Sequence, residues 1–223
     1  MSTSNWQNIS YNIQLVKLLN PQTILDIGVG FGRWGILFRE FLEVWGDNNF
    51  ECNWKRTIDG LEIFPDYIKD YHKFFYDNIH ICNALDYLRS MDKHYDLINL
   101  GDVVEHFVKE EGLELIDLCL KKSKHTLINI PIGKDWEQDA INGNEFERHR
   151  SSWSIEDFSK HKFSLISEFE DIELRTFAVI LLSDKKIDLT QAYGKHFAKK
   201  NFIGKKLKLK GLIKLYEKSK KKK

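Results

Sequence analysis

The residues best equipped for chemistry lie in two stretches separated by about forty positions. The first, Asp102-Val-Val-Glu105-His106, brings two carboxylates and an imidazole within five residues. On a helical turn, positions 102, 105 and 106 share a face, so the three side chains are expected to point together. The second is the polar segment QDAINGNEFERHRSSW. It supplies Gln138, Asn144, Glu147, His149, Ser151 and Trp153, types that hydrogen-bond to and stack on polar ligands. An imidazole beside carboxylates can take a proton from a hydroxyl nucleophile. Asp102, Glu105, His106 and His149 together also form a mixed oxygen and nitrogen donor set for a divalent ion. His149 is the preferred base. His106 is the alternative, unless it only holds the loop, and Asp102 and Glu105 would orient the base or hold the metal.

A glycine run, Asp26-Ile-Gly28-Val-Gly30-Phe-Gly32, follows a short apolar stretch and precedes a segment of helical periodicity. In a doubly wound fold that junction lies in the crevice beyond the first strand, where ligands bind. A dinucleotide fingerprint would need a third glycine at position 33, which is Arg33, so NAD is disfavoured.

The elements that position these residues are read from periodicity. Ile9, Ile13, Val16 and Leu19 mark a leading helix, ended by Asn20-Pro21. TILDIG (23–28), TIDGLEI (57–63), NIHICNA, YDLINLGD (95–102) and HTLINIP (125–131) are short apolar runs suited to strands buried on both faces. Helices are expected over 33–45, over PDYIKDYHKFF, over a short piece before Tyr95, over 109–122, and from Ser154 to Lys160. LISEFE and TFAVILLS follow as two strands with no helix between them. Alternating βα units ending in a hairpin predict an α/β chain with a mostly parallel seven-stranded sheet, an antiparallel C-terminal hairpin and helices on both faces.

An acid ending the first strand and a GxGxG turn resemble motif I of class I S-adenosylmethionine-dependent methyltransferases, which are Rossmann-like. The resemblance extends in register over about residues 20–185. It implies that Asp26, Gly28, Gly30 and Gly32 form the cofactor turn and that Glu62, with Ile63, meets the ribose hydroxyls. Asn83 and Ala84 would stand at the adenine, although Asp is more usual there, and Leu100 and Gly101 would line the cofactor by backbone. The pieces GFGRWGILFRE, DVVEHF and PIGKDWEQ…GNEFERHRSSW are similar to bacterial members associated with surface-glycan synthesis. That likeness implies O-methylation of a sugar, nucleotide sugar or related polar small molecule, with Gln138, Asn144, Glu147 and Trp153 contacting the acceptor. The acid-x-x-Glu-His pattern plus a later His also resembles small-RNA 2′-O-methyltransferases, which implies a metal (Mg or Mn) at Asp102, Glu105, His106 and His149. The NPPY-type tetrad of amino-group methylation is absent where Gly101-Asp102-Val103-Val104 stands, which favours oxygen over nitrogen.

Composition bounds these readings. With 223 residues, 42% hydrophobic, the chain suits one catalytic domain (1–190) and an appended tail (191–223). The net charge of +1 is uneven: residues 195–223 carry thirteen Lys against Glu217, leaving −11 on the rest. Leu207, Leu209, Leu212, Ile213 and Tyr216 interleave those lysines in a pattern fit for an amphipathic helix on an anionic leaflet. An RNA or nucleotide methyltransferase using the tail for phosphate contacts is the rival, with nucleic acid the less favoured partner because the charge is all Lys. A non-catalytic cofactor-binding scaffold is the third reading. Cys52, Cys82 and Cys119 form no CxxC pair, and the polar start has no basic-then-apolar leader pattern. Reduced thiols and a cytoplasmic protein, peripheral at most to the inner face of the membrane, are expected.

Overall fold

The computed structural model describes residues 5–186 apart from 135, 142, 162–163 and 172. The Lys-rich tail, and with it the membrane and nucleic-acid readings, lies outside the described residues.

The strands are β1 (Thr23–Ile27), β2 (Thr57–Glu62), β3 (Asn78–Ile81), β4 (Tyr95–Gly101), β5 (Ser123–Pro131), β6 (Ser164–Glu170) and β7 (Thr176–Ser183). They form one seven-stranded sheet in the order β3-β2-β1-β4-β5-β7-β6. The first five pair in parallel, and β7 runs antiparallel to both β5 and β6. The expected architecture is therefore present, hairpin included. β1 pairs with β2 on one side and β4 on the other, so the chain leaves it in both directions and opens a crevice at its carboxyl end.

The parallel strands are apolar because both faces are covered. Ile98 and Leu100 of β4 and Ile128 and Ile130 of β5 join Leu85 and Leu88 of α4 (Ala84–Ser90) and Leu115, Ile116 and Cys119 of α5 (Lys109–Lys122) in one buried cluster. The opposite face lies under α1 (Ile9–Leu19), where Asn8 and Asn12 each donate to Asn129 Oδ1 of β5 at 2.7 Å. On the other side of the crevice, α2 (Arg33–Phe38) begins right after the glycine run and continues as a π-helical turn, Arg39–Val44.

Two helical expectations change. PDYIKDYHKFF is a 3-10 turn (Pro65–Tyr67), an extended Ile68, and a short α3 (His72–Phe75). Buried Tyr67 and His72 are both anchored on the crevice, and one continuous helix would not serve both. The expected helix from Ser154 shrinks to α6 (Glu156–Ser159). No helix among the described residues is long and apolar enough to cross a membrane.

Candidate active site

The glycine run turns sharply, with Gly28, Gly30 and Gly32 at φ +79°, +51° and +84°. At Gly28 only hydrogen fits: a Cβ would lie 2.5 Å from Val103 Cγ2 and the backbone is left-handed. Neighbouring groups hold the turn by its peptides. Gly28 and Val29 donate N–H to the Leu61 carbonyl at 2.9 and 3.2 Å. Gly30 N–H donates to Glu62 Oε2 at 2.9 Å, and the Gly30 carbonyl faces His72 Nε2 at 3.1 Å. His72 Nδ1 in turn faces the backbone of Lys69, N–H at 2.9 Å and carbonyl at 3.1 Å, so the ring links that segment to Gly30. His72 has no signal in the sequence beyond its type.

Asp26 stands one layer below. It is fully buried, accepts from Tyr76 O–H at 2.6 Å and from Asn99 Nδ2 at 2.8 Å, and does not line the cavity. Burial pushes its carboxyl up to about 7, against the opposing pull of those two donors. Tyr76 in turn accepts from Gly35 N–H at 3.0 Å and so ties Asp26 to the first turn of α2. The expectation that Asp26 touches a ligand is thus corrected: it braces the strand end. Leu100 is likewise core, while Gly101 reaches the cavity.

The cavity in the crevice brings together Gly28, Gly30, Glu62, Ile63, Asn83 and Ala84 at one side and Gly101, Asp102 and His106 at the other. Gly32 lies just outside it, as the left-handed residue that starts α2. Glu62 accepts from Phe64 N–H through Oε1 at 2.9 Å, and its carboxyl is raised above its ordinary range by burial, partly offset by backbone N–H donors. Asn83 caps α4 by accepting from Leu85 N–H at 2.8 Å, which leaves its amide N–H₂ for the cavity. Asn144, Phe146, Glu147 and Arg150 complete the wall from the segment after β5, joined by Tyr67.

The second constellation assembles in part. Asp102 is not on a helical turn with Glu105 and His106: it sits at φ +55° with its N–H on the Asn129 carbonyl at 3.0 Å, and only Val104–His106 form a 3-10 turn. Its Oδ2 accepts from Asn5 N–H at 3.2 Å. The group that does converge is Glu105, His106 and His149, with one donor atom from each within 4.8 Å of the others. The two imidazole rings are 5.0 Å apart. Asp102 falls outside this group, which corrects the four-residue metal set.

Three features define this cluster. Glu105 is 1% exposed and its buried Oε2 has no hydrogen-bond partner among the described residues. Burial, reinforced by the charge of Asp102, raises its carboxyl well above its usual range. His106 Nδ1 faces the Arg148 carbonyl at 3.2 Å, and burial beside His149 lowers its basicity. His149 Nδ1 bonds the Trp136 carbonyl. A carbonyl only accepts, so His149 carries its proton on Nδ1 and leaves Nε2 with a free lone pair when neutral. His106 lines the cavity, whereas His149 opens onto an adjoining polar cleft with Gln138, and Arg150 borders both.

Of the four acceptor residues expected, the structure separates three locations. Asn144 and Glu147 face the cavity. Gln138 lies in the adjoining cleft and donates to the Glu147 carbonyl at 2.6 Å. Trp153 is 2% exposed, donates to Ser151 Oγ at 2.8 Å, and lies under the Lys109 ammonium at 3.6 Å. It is core packing against Gly112 and Phe158, a correction to its expected ligand contact. Tyr67, Phe146 and Arg150 were not anticipated.

No protein-family model and no curated protein matches the chain. Solved structures share its fold at low identity. A SAM-dependent methyltransferase from Archaeoglobus fulgidus superposes with a TM-score of 0.53 at 19% identity, covering 78% of this chain and 94% of that one. TomG from Streptomyces achromogenes, an O-methyltransferase of tomaymycin synthesis solved in complex with SAM, gives 0.51 at 12%, with 82% of each chain covered. TehB from Haemophilus influenzae gives 0.52 at 16%, with 82% of this chain and 64% of that one.

Proposed function

We propose that the chain is a S-adenosylmethionine-dependent methyltransferase acting on a hydroxyl of a sugar, nucleotide sugar or related polar small molecule. The observation that carries this reading is a single cavity with a glycine turn, Glu62 and Asn83 on one side and His106 of the histidine cluster on the other. The bound cofactor supplies an electrophilic methyl group on a sulfonium.

The residues present fit that cofactor. Gly28 has no room for a side chain, so the backbone itself forms the wall there. Glu62 offers a carboxylate for ribose hydroxyls, and Asn83 an amide for a purine edge. Opposite them, the hydroxyl to be methylated is held and oriented, which converts an encounter into an in-line displacement. His149 is the base of this reading: the Trp136 carbonyl keeps its Nδ1 protonated and leaves Nε2 to take the proton of an acceptor hydroxyl that reaches past His106, the imidazole lining the cavity, toward the adjoining cleft. His106, fixed by the Arg148 carbonyl, orients the pair.

Alternatively, Glu105, His106 and His149 would hold a divalent metal, with the His149 Nε2 lone pair then a ligand and not the base, and the buried Glu105 Oε2 without a partner among the described residues is the group such an ion would satisfy. With Asp102 outside the set, two imidazoles and one carboxylate suit Mn²⁺ or Zn²⁺ better than Mg²⁺, which prefers oxygen.

The test is calorimetric titration with S-adenosylhomocysteine, with and without Mn²⁺ or Mg²⁺, followed by a screen of hydroxyl acceptors with methyl-labelled cofactor. Micromolar binding and label transfer to a nucleotide sugar are expected. Absence of binding in every condition overturns the reading.

A further inference from the structure

The cavity holds two buried carboxylates, not one. Glu62 is 6% exposed and Glu147 is 5% exposed, and the charge of Glu147 is felt at Glu62. They come from opposite walls, Glu62 from the end of β2 and Glu147 from the 3-10 turn Glu145–Glu147 after β5.

Glu62 is already heavily used. It accepts N–H from Gly30, Phe64 and Ile63, which is three of the roughly four lone-pair sites of a carboxylate. A vicinal diol donates two hydroxyl hydrogens, so Glu62 alone would leave one of them buried without an acceptor. Glu147 has capacity to spare. Tyr67 lines the same cavity, and its hydroxyl is close enough to Asn144 and Glu147 to feel both. Asn144 also caps the turn through its own side chain, accepting from Phe146 N–H at 3.0 Å. The capped turn thus places Glu147 in the cavity wall, next to Asn144 and Tyr67 in its lining.

We propose that Glu147 is a second cofactor-side carboxylate, which shares the ribose diol with Glu62 and so closes the segment after β5 over the cofactor instead of the acceptor. This inference rests on the cofactor reading above. It reassigns Glu147 from acceptor contact to cofactor contact, and it makes Tyr67 the positioning residue for that contact. The next two residues gain a purpose from it. The Arg148 carbonyl holds His106 and the following residue is His149, so a ligand that fixes Glu147 also fixes the backbone that sets both imidazoles. Gln138 ties the same point from outside through the Glu147 carbonyl.

The experiment titrates the full-length protein, as wild type, Glu147→Gln and Tyr67→Phe, with two probes: S-adenosylhomocysteine and its 2′,3′-dideoxy analogue. Glu147→Gln keeps the shape and an oxygen for Tyr67 but gives up the charge. The wild type is expected to bind the diol-bearing probe more tightly than the dideoxy probe. Glu147→Gln is expected to weaken the diol-bearing probe by about 10- to 100-fold, the worth of a hydrogen bond to a charged group. It should leave the dideoxy probe unchanged, and Tyr67→Phe should show a smaller effect of the same kind. An equal loss for both probes overturns the proposal in favour of a structural role. No loss for either overturns it in favour of an acceptor contact. If the wild type fails to bind S-adenosylhomocysteine at all, the cofactor reading itself falls and takes this inference with it.

Discussion

The two sides of the cavity are built by different means. On the β1–β3 side, the glycine turn, Glu62 and Asn83 are held mostly through backbone groups at neighbouring strand ends and turns, Leu61 to Gly28, Glu62 to Gly30 and Asn83 to Leu85, with His72 added from a separate segment. On the β4–β5 side, the working groups are held by contacts between distant segments. His106 meets the Arg148 carbonyl, and the N–H groups of Arg150 and Ser151 both meet the Glu105 carbonyl at 2.8 and 3.2 Å. The first side turns the Asn83 amide and the remaining capacity of Glu62 to the cavity. The second keeps a buried carboxylate oxygen without a partner and an imidazole of lowered basicity. A surface that only has to fit a ligand can be rigid and fully paired. A side proposed to move a proton or hold an ion must retain unfilled valence, and the Glu105 Oε2 without a partner among the described residues meets that requirement.

That contrast predicts rate effects on one side and affinity effects on the other. The largest is expected for His149→Ala, with kcat on a hydroxyl acceptor falling about 10²- to 10⁴-fold while S-adenosylhomocysteine affinity is kept. Steady-state kinetics paired with calorimetry checks both numbers, and a loss confined to affinity would erase the division. Next is Gly28→Arg, where a side chain on a left-handed residue collides with Val103 and displaces that wall of the cavity. Binding should weaken by at least about 100-fold, and thermal melting would show whether the fold persists.

Asp26 separates bracing from binding. Its carboxyl is raised from 3.8 to about 7, so between those values the folded chain holds a proton that the unfolded chain has lost. Stability from this group is therefore full below pH about 4 and declines as pH rises to about 7, by up to about 1.4 kcal/mol per pH unit. Asp26→Asn should flatten that part of the melting profile, because a neutral amide can replace the protonated acid if Asn99 turns its unpaired Oδ1 toward it. An unchanged profile would show that Asp26 is ionised in the fold. The smallest effect belongs to Trp153→Phe, which removes the N–H donated to Ser151. A cost of about 1 kcal/mol, or a melting point lower by about 2–4 °C, with no change in acceptor KM, would place Trp153 in the core and outside the site.

The β1–β3 side was largely legible as sequence. The strands are apolar runs, and their ends place Gly28, Glu62 and Asn83 at the crevice in the register expected. What was missed there has a common cause. His72 and Tyr76 hold the glycine turn from a segment whose composition suits a helix, and the pull of their partners breaks that helix into a turn and a stub. On the other side, α5 has the expected limits, Lys109 to Lys122. Asp102, however, leaves the shared face because its peptide is drawn to Asn129 on the neighbouring strand. Glu147, expected among the acceptor residues, lines the same cavity as Glu62 from the opposite wall, and Trp153, expected as a ligand contact, is buried.

Short-range sterics and periodicity are properties of neighbouring residues, and they determined the order of strands and helices, the glycine turn and the acids at strand ends. The polar segment after β5 has no period, and its backbone takes its course from carbonyls at Glu105 and Phe107, some forty residues away. Which of its side chains meet the cavity, which meet the cleft, and that His106 and His149 stand 5.0 Å apart, were decided only by the tertiary structure.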